Sequence, residues 1–170
     1  MGVKYHKHHA KHNVEHIGFA VITTSNIRTM ETDESGKWLI GFLRKKGHYC
    51  KYHAIVPNDK SKIKSEVAVQ LDNIAVQLII TSGGTGCGKK DVTIDAVSGL
   101  LEKRLEGFGE LFRMLSYKEI GSAAIMSRAL LGIAKGKVIV CVPGSVDAMK
   151  LAVTKLLVPE IEHLLWEVVR

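Results

Sequence analysis

A glycine-rich stretch, TSGGTGCGKKD at residues 81–91, has the composition of a phosphate-binding corner. Its glycines, which let a ligand approach the backbone N–H groups closely, are Gly83, Gly84, Gly86 and Gly88. Lys89 and Lys90 add positive charge, and Asp91 is expected to begin a helix whose free N–H groups attract anions. The Asp91 carboxylate is also a candidate Mg²⁺ ligand. The alternative interpretation is a structural turn with a capping aspartate.

The same stretch departs from the phosphate-binding loop of P-loop nucleotidases. Gly83, Gly88 and Lys89 have the spacing of that loop, but Lys90 replaces the Ser or Thr whose hydroxyl would bind Mg²⁺. We therefore expect a different way of holding phosphate.

Three further corners follow strand-like runs, at residues 23–26 (TTSN), 56–59 (VPND) and 142–145 (VPGS). In an open α/β sheet, ligands bind where the carboxyl ends of parallel strands meet, so all four corners are expected at one edge. The hydroxyl residues at these corners are Thr24, Ser25, Ser82 and Ser145. Ser145 is expected to cap a helix and offer a second anion site, and Asn58 and Asp59 are helix-capping types.

Hydrophobic patterning predicts the elements that position these corners. Strands are predicted at residues 17–24, 48–56, 75–81 and 137–142. Helices are predicted from Asp33 or Ser35 to Lys46, over 58–73, 91–107, 108–121, 122–136 and 146–158, and after Pro159. Because parallel neighbours need a crossover helix, this alternation predicts an α/β fold with a mostly parallel sheet covered on both faces.

Two polar residues, Ser127 and Arg128, lie within the predicted helix 122–136. An arginine on a largely apolar helix is either a structural pair or a ligand contact, and spacing alone leaves both open.

Composition predicts one soluble domain over residues 16–170. The 170 residues are 46% hydrophobic and 24% charged, without a membrane-length apolar run or a secretory signal, so a cytoplasmic location is expected. Three widely spaced cysteines indicate neither disulfides nor a zinc site, and Cys50 and Cys141 are expected in the core.

Residues 1–15 form a basic, histidine-rich arm that is expected to be weakly ordered. It holds much of the net charge of +7, and nucleic-acid binding through it is an alternative that rests on charge alone. Because its histidines lack acidic or cysteine partners nearby, no functional metal site is expected there.

Several motifs in order, TSGGTG, KKDVTIDAV, GFGELFRMLSYKEIGSAAIMSRALLGI and VIVCVPGS, closely resemble the MoaB/MogA family of molybdenum cofactor biosynthesis proteins. The resemblance runs from His16 to the last helix and is nearer to MoaB in GFGELFRMLS. It implies a three-layer αβα sandwich, a homotrimer, contacts with other proteins of this pathway, and Mg²⁺-dependent adenylylation of molybdopterin by ATP, which releases pyrophosphate.

The resemblance also implies roles for individual residues. Asp91 is implicated in metal binding and catalysis, and the pterin and nucleotide site is lined by Gly83, Gly84, Thr85, Gly86, Ser127, Arg128, Pro143, Gly144 and Ser145. MogA-like members carry an acid after the proline of the second corner, where this chain has Asn58 followed by Asp59. Either Asp59 takes over the metal role or catalysis is weaker, which leaves a non-catalytic molybdopterin-binding or scaffolding protein as the alternative.

Overall fold

A computed structural model describes residues 16–170. The predictions for the arm, residues 1–15, lie outside the described residues. The strands are β1 (Gly18–Thr24), β2 (Tyr49–Val56), β3 (Leu78–Ser82), β4 (Lys103–Arg104), β5 (Leu130–Ala134) and β6 (Lys137–Val142). The α-helices are α1 (Glu34–Lys45), α2 (Lys60–Asp72), α3 (Thr93–Ser98), α4 (Glu106–Ile120), α5 (Val146–Leu151) and α6 (Ile161–Val169). A 3₁₀ turn (Gly121–Met126) follows α4, and a π-helical segment (Ala152–Leu157) continues α5.

The strands form one six-stranded sheet in the order β2-β1-β3-β6-β5-β4. The strands β2, β1, β3 and β6 run parallel to one another. The strand β5 pairs antiparallel with β6, and β4 pairs antiparallel with β5. At the carboxyl edge Thr24 pairs with Val56, Thr23 with Ser82, and Ser82 with Val142. The prediction that all four corners lie at one edge of a mostly parallel sheet is confirmed.

Helices cover both faces of the sheet, which confirms the three-layer sandwich. Within β1, Phe19 and Val21 pack in one core cluster while Ala20 and Ile22 pack in the other. This alternation follows from the two-residue period of a strand. The first cluster includes side chains of α1, α4, α5 and α6, and the second includes those of α2 and α3.

The helices α1 and α2 agree with the sequence pattern, apart from one cap. Asp33 caps α1 by accepting a hydrogen bond from Gly36 N, and Gly47 ends that region at φ +90°. At α2 the capping side chain is Asp59, which accepts from Lys62 N at 2.9 Å. Asn58 is therefore not the cap, which leaves its amide group available elsewhere.

The predicted helix over residues 91–107 is wrong. Only the six residues Thr93–Ser98 are helical, and the chain then enters the short edge strand β4. Leu105 N donates to Leu131 O, and Leu101 packs where Gly132 leaves no room for a side chain. Pairing with β5 therefore outweighs the local helical preference.

The predicted helix over residues 122–136 is also wrong, because β5 occupies its second half. Lys135 and Gly136 both have positive φ, at 49° and 70°, and connect β5 to β6 as a two-residue hairpin. Such a turn matches the twist of antiparallel strands. Ser127 and Arg128 consequently lie in the segment between the 3₁₀ turn and β5, not on a helix.

The cysteines are free thiols in the described part of the chain. Cys141 is buried, and burial raises the pKa of its thiol to about 12. Cys50 is half-buried against the core and Cys87 is exposed. Among residues 16–170, no helix has the length and apolar character needed to cross a bilayer.

Candidate functional site

The glycine corner begins directly after β3 and adopts backbone angles that favour glycine. Gly83 has φ +98° and Gly84 has φ +61°. Gly83 N donates to Val142 O at 3.0 Å, and a Cβ on Gly83 would lie 2.6 Å from Thr24 O. The corners at residues 23–26 and 142–145 therefore both contact the glycine corner.

Three side-chain oxygens converge on Gly84: Thr24 Oγ1, Thr93 Oγ1 and Asn58 Oδ1 all lie close to where its Cβ would be. The two threonine hydroxyls are 3.0 Å apart. Asn58 Oδ1 is buried and has no hydrogen-bond partner. A buried acceptor without a donor is costly, so this oxygen is a candidate for contact with a ligand or cation.

The two polar residues of the corner at residues 56–59, Asn58 and Asp59, make different contacts. Asn58 reaches the glycine corner and donates its backbone N–H to Asn26 Oδ1 at 2.9 Å. Asp59 is exposed and its Oδ1 is engaged as the cap of α2. The structure thus brings Asn58, and not the Asp59 carboxylate, against Gly84.

Asp91 folds back onto the glycine corner instead of capping α3. Its Oδ2 accepts from Gly88 N at 2.9 Å, and a Cβ on Gly86 would lie 2.8 Å from the same oxygen. The helix α3 begins two residues later, with Val92 at the cap position and no side-chain cap bond. The Asp91 carboxylate is therefore held within the loop that the sequence predicts to bind phosphate.

The donor set can be tested against a Mg²⁺ ion. Across residues 16–170, no three His, Cys, Asp or Glu side chains converge as a metal site. Mg²⁺ at nucleotide sites is held by one or two carboxylates together with phosphate oxygens and water. The Asp91 carboxylate and the unpartnered Asn58 oxygen are compatible with such a site.

Arg128 ties the glycine corner together from the neighbouring segment. Its Nε donates to Thr85 O at 2.9 Å and to Gly86 O at 3.1 Å, and its Nη2 donates to Asp91 O at 2.8 Å. It also forms an ion pair with Asp95 at 3.3 Å. These contacts with backbone carbonyls make Arg128 a positioning residue for the loop.

The fourth corner lies directly against the third. A Cβ on Gly144 would lie 3.1 Å from Gly83 Cα. Ser145 caps α5, and its Oγ accepts from Ala148 N at 3.3 Å. Pro143 precedes this turn and is half-buried.

Two cavities meet at Ser145. The first, which we call the hydroxyl cavity, has a volume of about 320 Å³ and is lined by residues that include Thr23, Thr24, Ser25, Ser35, Ser82, Gly83 and Gly144. The second, the α4 cavity, has about 200 Å³ and is lined by residues that include Phe112, Ser116, Ser127 and Pro143. Ser145 belongs to both linings, whereas Lys89 and Lys90 are exposed and line neither.

A buried carboxylate at the hydroxyl cavity was not predicted as part of the site. Asp33 is 2% exposed and accepts from the Thr23 hydroxyl at 2.6 Å and from His53 Nε2 at 3.0 Å. Burial acts to raise the pKa of Asp33, but hydrogen bonds from His53, Thr23 and Gly36 N outweigh it and lower that pKa to about 2.

This carboxylate is linked to the glycine corner through hydroxyls. Ser35 Oγ lies 3.4 Å from Asp33 Oδ1 and 2.9 Å from Ser82 Oγ. From the sequence, Asp33 and Ser35 are predicted only as helix-capping residues. Both follow the TTSN corner closely in the sequence, and this nearness is the signal that could have placed them at the site. Arg28 and Glu34 also line this cavity and were not predicted.

A larger cavity than the hydroxyl cavity and the α4 cavity lies away from the four corners. It has about 590 Å³ and is lined mainly by apolar side chains of α4 and α6 with Leu131 and Leu156. Its polar lining residues, Lys155, Glu160 and His163, belong to none of the four corners, so its size alone does not identify it as a reaction site.

Comparison with known proteins gives consistent relatives over nearly the whole chain. Residues 20–163 match the family model described as "Probable molybdopterin binding domain". Molybdenum cofactor biosynthesis protein B of Bacillus subtilis is 44% identical over 169 residues, covering 99% of this chain and 98% of the relative. The protein of the same name from Staphylococcus carnosus is 46% identical over 154 residues, covering 89% and 90%.

Solved structures agree with these relatives. A crystal structure of molybdenum cofactor biosynthesis protein B superimposes with a TM-score of 0.89 at 45% identity, covering 91% of this chain and 97% of that one. The tungsten cofactor synthesizing protein MoaB from Pyrococcus furiosus has a TM-score of 0.79 at 34% identity, covering 92% and 99%.

Proposed function

The chain belongs to the family of molybdenum cofactor biosynthesis proteins that share this molybdopterin-binding domain, and from this premise we propose that it adenylylates molybdopterin. In the proposed reaction, an oxygen of the terminal phosphate of molybdopterin bonds to the α-phosphorus of ATP. The bond between the α-phosphorus and the β-bridging oxygen breaks, and pyrophosphate leaves with the electron pair. The observation that carries the proposal is that two cavities meet at Ser145, beside the glycine corner.

The reaction matches the chemistry of this edge because its nucleophile is already an anion. No strong base is needed, and catalysis depends on bringing two anions together and on neutralising charge. The N–H groups of the glycine corner and the exposed Lys89 and Lys90 supply positive potential. Arg128 holds the loop in place through the carbonyls of Thr85 and Gly86.

Mg²⁺ and ATP are part of the proposal. Of the two predicted metal ligands we retain Asp91, because its carboxylate lies against Gly86 and Gly88 of the glycine corner, whereas the Asp59 carboxylate caps α2. Asn58 Oδ1 is the proposed neutral ligand. When bound there, Mg²⁺ would neutralise charge on the phosphates.

A second candidate function is molybdopterin binding without catalysis. Asn58 favours it, since an amide replaces the carboxylate that MogA-like members carry beside this corner. A turnover assay distinguishes the two candidate functions. If the protein is the enzyme, purified protein with ATP, Mg²⁺ and molybdopterin should release pyrophosphate. Asp91→Ala should then lower the rate by about 10²-fold or more. Pterin binding without pyrophosphate release, with Asp91→Ala equal to the native protein, would favour the second candidate.

We further propose a homotrimer that forms through an apolar face on α4 and the 3₁₀ turn after it. Large apolar side chains on this face are exposed: Leu111, Met114, Tyr117, Ile120, Ile125 and Met126. Exposed apolar side chains grouped in this way are typical of an interaction site. The cytoplasmic location and the contacts with other proteins of the pathway stay predictions.

A further inference from the structure

The amino edge of the sheet, opposite to the four corners, carries a separate polar cavity. This amino-edge cavity has a volume of about 410 Å³ between the end of α1 and the start of β2, and its lining includes His16, Arg44, His48, Tyr49 and Lys51. We propose that it binds a tetrahedral oxyanion, of the class that phosphate, phosphate monoesters and molybdate share.

The lining is cationic. Arg44 and Lys51 are exposed at the cavity, and Lys51 Nζ lies 5.2 Å from the centroid of the Tyr49 ring. The His16 ring packs against the same tyrosine, with its centroid 5.4 Å from that of Tyr49. The Tyr49 ring thus contacts both the Lys51 ammonium group and the His16 imidazole. Arg44 lines the same cavity, and the planar guanidinium group can donate to two oxygens of one anion.

His48 provides an independent observation. Its side chain is buried, with the residue 6% exposed, and its Nδ1 has no hydrogen-bond partner. Burial lowers the pKa of His48, and the nearby His16 and Lys46 act in the same direction while Glu162 opposes them. The His48 imidazole forms part of the cavity wall, so an anion bound in the cavity would alter the environment of this ring without contacting its enclosed Nδ1.

Carbonyl oxygens at the end of α1 do not compete for this position, because they already accept hydrogen bonds. Leu43 O accepts from Lys46 N and His48 N, both at 3.1 Å, and Arg44 O accepts from Gly47 N at 3.0 Å. Gly47 O lies 2.9 Å from His16 Nδ1, which must therefore be the donor. The donors that remain for an anion are the charged side chains of Arg44 and Lys51 in the cavity lining.

The cavity is independent of the proposed reaction. The seven residues of β1 separate the two edges of the sheet, a span of roughly 20 Å. None of the residues that line the amino-edge cavity belongs to the four corners.

The test follows the His48 imidazole by NMR while inorganic phosphate, and separately molybdate, is titrated into the full chain. We expect the His48 resonances to shift and to reach saturation with increasing anion concentration. The anion that binds with the lower dissociation constant is the one that the cavity prefers. Arg44→Ala combined with Lys51→Ala should weaken this binding by roughly tenfold or more. The matched control, Lys64→Ala with Lys150→Ala, removes the same charge from exposed positions outside the cavity and should change it less than about twofold.

Because the signal comes from His48, it distinguishes anion binding at the amino-edge cavity from anion binding at the glycine corner. His48 resonances that stay fixed at saturating phosphate and molybdate would overturn the proposal. An equal loss of affinity in both double variants would also overturn it, because that outcome indicates attraction by net charge alone.

Discussion

Asn58 Oδ1 lies 3.2 Å from the position that a Cβ on Gly84 would occupy, and this buried oxygen has no hydrogen-bond partner. The relationship places an uncharged acceptor where a carboxylate would strengthen the binding of a divalent cation.

Asn58→Asp should tighten Mg²⁺ binding in the presence of ATP by roughly tenfold, because a charged ligand replaces a neutral one. Isothermal titration of Mg²⁺ into the protein with ATP measures it. Asn73→Asp, at the remote end of α2, is the matched control and should leave the affinity unchanged. A loss of affinity in Asp59→Asn together with no gain in Asn58→Asp would instead assign the metal to Asp59.

Gly84→Ala should destabilise the protein by more than about 1 kcal/mol, because φ is +61° and the added carbon would collide with Thr93 Oγ1. Urea unfolding measures the change. Gly107→Ala is the control: no atom lies within 4 Å of its Cβ, and it sits in the first turn of α4, where alanine should be neutral or stabilising. Equal stability of the two variants would contradict the tight packing at Gly84.

Asp33→Asn should reduce the free energy of unfolding at neutral pH by about 2 kcal/mol. The native pKa is lowered to about 2, below the ordinary value of 3.8, so the stabilisation is present above the unfolded-state pKa and is lost as pH falls toward the folded-state pKa. Unfolding measured from pH 7 down to pH 2 should therefore show the two proteins converging between about pH 4 and pH 2. Asp147→Asn, an exposed carboxylate, should give no such convergence.

Arg128→Lys should weaken ATP binding by roughly tenfold, because an ammonium group cannot reproduce the hydrogen bonds that the guanidinium donates to the carbonyls of Thr85, Gly86 and Asp91. Binding is measured by titration calorimetry. Arg104→Lys, which alters an exposed ion pair with Glu106, is the control. Unchanged ATP affinity in Arg128→Lys would show that the loop keeps its shape without these bonds.

Met114→Lys should convert the proposed trimer to monomers, because a charge would be buried in the proposed apolar interface. Light scattering coupled to size-exclusion chromatography gives the mass. Val69→Lys changes a comparably exposed apolar residue on α2 and should leave the trimer intact. A native protein that elutes as a monomer at all concentrations would refute the interface.

The sequence pattern was sufficient for the parts of the fold that depend on local order. Strand runs followed by capped helices predicted β1, β2, β3 and β6, and parallel pairing then placed the four corners together. Pairing of β4 and β5 depends on residues distant in sequence, and apolar runs such as ALLGIA suit a helix and a buried strand equally. The Asp33 cluster was missed because its hydrogen bonds join residues that only the folded sheet brings together.

Ser145 belongs to the linings of both cavities, so a ligand that moved this side chain in one of them would change a wall of the other. By thermodynamic reciprocity, the factor by which a first ligand alters the affinity for a second must equal the factor in the reverse order. Coupling through this one shared residue would therefore act equally in either order of binding and would need no moving domain.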